Sequence, residues 1–353
     1  MLKKDKLIKI ADKFVGLNQP VFIIAEAGVN HNGNLKLAKK LIDAAARAGV
    51  DAVKFQTFDP KSLVTKTAAK AEYQTNNMVG ESQYEMLKKI MLPRKWHKEL
   101  QSYAKKNGLI FLSTPFSRDD ADFLIKLGVP AIKVSSSDAN NIPYLSHIAD
   151  QNVPIILSTG MSDMKELKES IKTMRKSGNN KLIVLHCTTN YPVPFEEANI
   201  KAISTIAKEL GLITGFSDHT QGIEASIAAV ALGARVIEKH FTINRDLPGP
   251  DHKASLEPEE LKQMVRSIRN VENALGTGKK IPFSSEIKIA EVARKSIVAT
   301  RDINKGEVIN DKNIAVKRPG TGLPPRYYFK VIGTKAKINI KADTLIKKSY
   351  YEQ

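Results

Sequence analysis

Two histidines close two apolar stretches: His219 ends LITGFSDH over 212–219, and His240 ends RVIEKH over 235–240. One amphipathic segment, IEASIAAVALGA over 223–234, separates them. Strand, helix, strand sets both imidazoles on one edge of a parallel sheet. Neutral imidazole is the commonest protein ligand for a catalytic divalent metal. The pair therefore reads as a two-ligand site with coordination positions left for substrate. Taken alone, each histidine would do no more than cap a strand; the weight comes from the residues around them.

Two lysines, Lys54 and Lys133, stand among hydroxyl residues at the ends of similar runs, with Gln56, Thr114, Ser136, Ser158 and Ser217 nearby in the pattern. Ammonium groups with Ser/Thr hydroxyls suit a phosphate or a carboxylate. Neither a Walker A motif nor a helix-opening GxGxxG is present, which argues against a nucleoside triphosphate or a dinucleotide. A Schiff-base lysine is the competing use, but it leaves the histidines without a role. Glu26 and Asp138 supply carboxylates for acid–base work or for holding hydroxyls, with a structural salt bridge as the plain alternative.

The elements that must carry these groups repeat eight times. The runs are VFIIAEAG (21–28), DAVKFQT (51–57), LIFLST (109–114), AIKVSS (131–136), PIILST (154–159), LIVLHC (182–187), LITGFSD (212–218) and RVIEKHF (235–241). Continuous apolar runs are the mark of strands buried on both faces. Helical periodicity follows them, most clearly in 164–178 and 258–276. Eight such units predict a (β/α)₈ barrel with its active site at the C-terminal strand ends. An open doubly wound sheet is the alternative architecture. The polar residues that end the runs then form one ring, which also takes in Ser113, Thr159, His186, Asp218 and Glu238.

Two loops add to that edge. GVNHNGN (28–34) follows the first strand, and RDLPGPDHKAS (245–255) follows the eighth, bringing Asp251 and His252. The polar stretch 61–83 lies where substrate loops and lids occur.

The segments IAEAGVNHNG, KFQTF, FLSTPFS, ILSTGM, LHCTTNYPVP, GFSDHT, IEKHFT and PGPDHKASL together resemble the sialic acid synthases, over about residues 15 to 350. The resemblance implies a (β/α)₈ TIM barrel over 1–280 followed by a small antifreeze-protein-like (SAF) domain over 281–353. It implies condensation of phosphoenolpyruvate with an open-chain N-acetylmannosamine-type aldehyde, with release of phosphate. N-acetylneuraminate synthase is the first reading. Its 9-phosphate counterpart and N,N'-diacetyllegionaminate synthase, which uses a 2,4-diacetamido-6-deoxy acceptor, are the alternatives. A divalent cation, Mn²⁺ or Mg²⁺, would sit on His219 and His240. Phosphoenolpyruvate contacts match Lys54, Thr114, Lys133, Ser136, Ser158 and Ser217; sugar contacts match Glu26, Gln56, Tyr191 and Asp251. The chain departs from the best-known bacterial pattern in three places, one of them Val292-Ala293-Arg294-Lys295 where some tail domains begin Phe-Ala-Phe-Ala. Ser135-Ser136-Ser137-Asp138 replaces Gly-Ser-Gly-Glu, and Thr189 stands where many bacterial members carry Asn at a substrate contact. The resemblance also implies a homodimer with swapped tail domains, in which Arg318 covers the partner's active site.

Composition limits the remaining classes. At 353 residues the chain has room for two domains and a large core. Its net charge of +18 is spread over faces with interleaved Glu and no aromatic pattern, so specific nucleic-acid binding is not expected. No run approaches a membrane span, and the N-terminus lacks a secretory apolar core. That N-terminus is expected to form a small hairpin at the barrel floor. The single cysteine, Cys187, suits the cytoplasm and an inert buried position. Trp96 and His97 begin a helix and are expected to pack.

Overall fold

Each of the eight apolar runs forms a strand of one parallel sheet. The computed structural model describes residues 7–70 and 82–352. A hairpin of β1 (Leu7–Ile10) and β2 (Lys13–Gly16) comes first. It is followed by β3 (Phe22–Gly28), β4 (Ala52–Thr57), β5 (Ile110–Pro115), β6 (Ile132–Val134), β7 (Ile155–Ser158), β8 (Leu182–His186), β9 (Ile213–Asp218) and β10 (Val236–His240). Their order in the sheet is β5-β4-β3-β10-β9-β8-β7-β6. β5 and β6 lie side by side and close the ring. The predicted (β/α)₈ barrel is the observed fold, and the open-sheet alternative is excluded.

Alternation along the strands sorts the core into two layers. Phe22, Ile24, Leu112, Ile156, Leu185 and Val236 face inward and fill the N-terminal half of the barrel. Ile8, Ile10 and Val15 join that cluster, so the hairpin forms the floor. The opposite parity, including Ile23, Phe55, Phe111, Val184 and Ile237, packs against the helices.

Helix Leu35–Ala48 shows how the outer layer is built. Asn34 caps it by accepting from the backbone N–H groups of Lys36 and Leu37, and Gly49 ends it in the left-handed region at φ 79°. Ala38, Leu41, Ile42, Ala45 and Ala48 fall on one face at helical spacing and are buried. Truncating such a leucine, as in Leu41→Ala, costs about 2–5 kcal/mol. Trp96 and His97 lie in the first turn of helix Arg94–Lys106, with His97 fully buried.

The chain divides into two units, Met1–Gly276 and Thr277–Gln353. The break falls just before the boundary read from the sequence, because helix Pro258–Leu275 stops at Gly276. The second unit holds helix Ser284–Ala293 and the antiparallel pair β11 (Ser296–Ala299) and β12 (Ile314–Lys317). Ile297, Ile303, Ile314, Val331 and Ile346 form its core. Helices Pro60–Leu63 and Gln83–Ile90 bracket the long loop of the first unit; residues 71–81 of the expected substrate loop lie outside the described residues. No described helix is long and apolar enough to cross a membrane.

Candidate active site at the barrel mouth

Towards the C-terminal strand ends the inward positions turn from apolar to polar. Glu26 on β3, Lys54 and Gln56 on β4, Thr114 on β5, Lys133 on β6, Ser158 on β7, Ser217 on β9, and Glu238 and His240 on β10 line one pocket. Cys187 and His219, just past β8 and β9, join them, together with Phe116, Ser135, Ser136 and Tyr191. Four residues expected in this ring have the opposite parity and face the helices instead. Ser113 lies 2.7 Å from Thr57 Oγ1, which also contacts His97. His186 stacks on Phe216 and bonds the Ala198 carbonyl. Asp218 pairs with Lys239 at 3.0 Å, both fully buried. Thr159 accepts from the Cys187 N–H through its hydroxyl.

The floor of the pocket is a four-member charge cluster. Lys54 Nζ lies 2.6 Å from Glu26 Oε2 and donates to Thr114 Oγ1 at 2.8 Å. Lys133 Nζ donates to Ser158 Oγ at 2.7 Å. Glu238 stands between the lysines, 3.8 Å from Lys54 and 3.6 Å from Lys133, and accepts from Ser217 Oγ at 2.9 Å. Burial drives the two carboxyls upward alike, but the lysines decide between them. Lys133, Lys54 and the Ser217 hydroxyl outweigh burial at Glu238 and hold it at about 2. At Glu26 burial prevails over Lys54 and raises it to about 7. Burial also lowers Lys133, against the pull of Glu238. Glu238 is thus the fixed negative charge, and Glu26 is the carboxyl able to exchange a proton near neutrality.

Above this floor His219 and His240 stand with ring centroids 5.6 Å apart. The Tyr191 ring lies 4.2 Å from His219 and 5.6 Å from His240. Burial keeps both imidazoles neutral, with His219 lowered to about 4 and His240 well below its ordinary value. His219 Nδ1 is 2.8 Å from the Thr188 carbonyl, which orients the ring and turns Nε2 towards Ser217. Asp251 Oδ2 lies 3.8 Å from His240 Nδ1, and burial raises the Asp251 carboxyl to about 6. His252, expected at the same edge, turns away to Thr242 and Asn32.

A second compartment of about 280 Å³ adjoins the first and includes Thr189 and Asp251 in its lining. Ser136 lines both compartments, and its Oγ lies 3.1 Å from Thr189 Oγ1. Gly160, at φ +46°, makes that approach possible; a Cβ there would lie 2.2 Å from Ser136 Cβ. Asp138 is not drawn into either compartment. It ends the 3₁₀ turn Ser136–Asp138, and its Oδ1 accepts from Asn141 Nδ2. Arg318 belongs to the second unit, where its Nε donates to the Ala293 carbonyl. Glu238, a ring member with no role assigned from sequence, emerges as the residue touching both lysines; its signal is its place two residues before His240, on the same strand face. Ser135 likewise shares the inward parity of Lys133.

An eight-stranded barrel whose mouth joins a pocket with two buried lysines, a neutral histidine pair and a second adjoining compartment has the make-up of a barrel enzyme. The profile of the NeuB family matches residues 41–280, and that of the SAF domain matches 294–351. The N,N'-diacetyllegionaminic acid synthase of Legionella pneumophila is 47% identical over 336 residues, 94% of each chain. The protein of the same name from Campylobacter jejuni is 48% identical over 328 residues, 92% of this chain and 98% of its own. The crystal structure of spore coat polysaccharide biosynthesis protein SpsE from Bacillus subtilis is 38% identical, has a TM-score of 0.68 and covers 99% of both chains. The chain belongs to the NeuB family.

Proposed function

We propose that the chain is a nonulosonic acid synthase, which condenses phosphoenolpyruvate with the open-chain aldehyde of a 2-acetamido sugar and releases phosphate. The observation that carries this reading is the pairing of Lys54 and Lys133, both buried and braced by Glu238, with the neutral rings of His219 and His240 above the same pocket. The lysines, with Thr114, Ser158 and Ser217, hold the phosphate and carboxylate of phosphoenolpyruvate; Ser136 and Thr189 extend that polar edge. C3 then forms a bond to the aldehyde carbon, whose oxygen takes the electron pair and a proton. Glu26 gives that proton and regains one from the water that adds at C2; the C2–O bond to phosphate then breaks as the remaining hydroxyl becomes the C2 carbonyl and its proton leaves with the phosphate. Gln56, Tyr191 and Asp251 hold the acceptor.

The histidine pair suits Mn²⁺ or Mg²⁺. His240 Nδ1 is buried with no hydrogen-bond partner, and the Nε2 of His219 is left available by the bond at Nδ1. Among the described residues no group of three or more His, Cys, Asp or Glu is placed to hold a metal ion, so His219 and His240 are the two side chains that would hold it. A cation held there supplies Lewis-acid polarisation of the acceptor's carbonyl.

N-acetylmannosamine and the 2,4-diacetamido-6-deoxy sugar both suit the site; the names of the two relatives support the second. The swapped homodimer is supported by helix Ser284–Ala293, which buries none of its residues and leaves Ile287, Ile289 and Val292 exposed. A second copy would cover this face and receive Arg318 at its active site. A cytoplasmic location accords with the single buried cysteine. Phosphate release from phosphoenolpyruvate, assayed with a panel of acceptor sugars and Mn²⁺ or Mg²⁺, tests the function; no release with any sugar would overturn it.

A further inference from the structure

Elsewhere in the chain Lys and Arg are interleaved with Asp and Glu, but one stretch of the second unit is not. Residues 312–351 hold ten Lys and Arg and a single acid, Asp343, which pairs with Lys317. Part of this charge converges on one ring. The guanidinium carbon of Arg326 lies 5.1 Å from the Tyr327 ring centroid, Lys348 Nζ 5.2 Å and Lys330 Nζ 5.9 Å. Lys347 Nζ stands 5.9 Å from the centroid of Tyr350. Both rings pack on the core that holds Ile297, Ile314 and Val331, so the cations gather around anchored aromatics. The other ion pairs of this unit are Arg301–Glu307 and Lys341–Asp302. Among the described residues no ion pair includes Arg326, Lys330, Lys347 or Lys348. Arg326, Lys348 and Lys330 accordingly hold the Tyr327 phenol below its ordinary value.

A ring face attracts each cation, yet the cations repel one another, and an anion seated among them removes that repulsion. An apolar group stands beside them. Phe329 is 88% exposed, more than any other large apolar side chain among the described residues, and its ring meets Tyr328 edge-on at 5.5 Å. A single strand of nucleic acid asks for cations spaced along a groove and rings in series. Here the cations meet at one point and one ring projects alone. That layout suits a bilayer with anionic lipids. Headgroup phosphates receive the cations, Tyr lies at their level, and a projecting Phe reaches the acyl boundary.

We infer that the Tyr327 cluster docks the protein on an anionic lipid surface, with Arg326, Lys330, Lys347 and Lys348 on the headgroups and Phe329 inserted beneath them. The contact is peripheral and reversible, since one ring and a basic patch fall far short of a spanning helix. It uses neither Arg318 nor helix Ser284–Ala293, and it stands apart from the synthase reading.

The test is co-sedimentation of the full-length protein with vesicles of phosphatidylcholine, with and without phosphatidylglycerol, at low and high salt. Binding is expected to the phosphatidylglycerol vesicles at low salt, with loss at high salt. Arg326, Phe329, Lys330 and Lys348 are exposed, so their variants should keep the wild-type melting temperature. Arg326→Gln, Lys330→Gln and Lys348→Gln combined should weaken binding by about a hundredfold, near fivefold for each cation. Phe329→Ser should weaken it by about tenfold. Phe329→Trp should show blue-shifted emission when phosphatidylglycerol vesicles are added, whereas the wild type, with Trp96 alone, should not. Equal binding to both vesicle types, or to neither, would overturn the inference. So would undiminished binding by the triple variant. Binding of a single-stranded oligonucleotide without binding to vesicles would assign the cluster to nucleic acid instead. A changed elution volume of the folded variants without vesicles would assign it to an interface between copies.

Discussion

Asn30 Nδ2 donates to Ser255 Oγ at 2.9 Å and so ties the loop after the first barrel strand to the loop after the last. The same amide donates to the Phe241 carbonyl at 2.8 Å, and Ser255 Oγ donates to the Asp251 carbonyl at 2.7 Å. The chain of bonds ends at the residue whose carboxyl faces His240.

Replacing Asn30 by Ala should therefore act at the acceptor side. Stability should fall by about 1–3 kcal/mol, because a buried carbonyl loses its donor. KM for the acceptor should rise with KM for phosphoenolpyruvate unchanged within about twofold, since the lysines have no part in this bond chain. Steady-state kinetics with each substrate varied in turn checks this; equal rises in both constants would point to general loosening.

Glu238→Gln removes the fixed charge between the lysines. Burial lowers Lys133 and Glu238 opposes that effect, so its loss should lower Lys133 further. The alkaline limb of kcat/KM for phosphoenolpyruvate should move to lower pH, and kcat should drop by about a hundredfold through misplaced lysines. A pH profile from 7 to 10 reads the first effect; an unmoved alkaline limb would refute it.

Glu26 couples stability to pH. Its carboxyl is raised to about 7 in the fold from an ordinary 4.5, with burial the main cause. The folded state binds the extra proton, so this contribution is full below about 4.5 and lost as pH rises through about 7. Glu26→Gln should accordingly gain melting temperature relative to the wild type as pH rises from about 4.5 to about 7, with the gain levelling off above that. A difference that stays flat across that range would show that Lys54 keeps Glu26 ionised.

Removal of the metal is the sharpest test of the histidine pair. Chelation, His219→Ala or His240→Ala should each reduce turnover by about a thousandfold or more, as loss of several kcal/mol of charge stabilisation requires. Circular dichroism should be unchanged. Calorimetric titration with Mn²⁺ should show binding to the wild type and none to either variant; retained binding would dissociate the rings from the metal.

The barrel is legible in the sequence because burial on both faces leaves eight uninterrupted apolar runs, and Lys54, Lys133, His219 and His240 stand out as polar groups at their ends. What a list of polar strand ends misses is parity. Counting in twos from Lys54 and His240 separates Thr114 and Glu238, which face the pocket, from Ser113 and Asp218, which do not. Asp138 escapes that rule, since it lies in a 3₁₀ turn beyond the strand, where an alternating pattern no longer tells direction. The apolar wall of the second compartment, with Met86, Leu87 and Ile90, is illegible for another reason: an amphipathic helix looks the same whether its apolar face meets a core or a cavity.

The buried pair Lys239–Asp218 never meets the pocket, yet it bears on how the barrel is threaded. Along β10 the charges alternate, with Glu238 inward and Lys239 outward. A slip of one residue would exchange them. It would bring a third ammonium beside Lys54 and Lys133, and leave Asp218 facing a carboxylate. Misalignment is thus penalised on both faces of the stave at once, and the most reactive part of the molecule doubles as its assembly proofreader.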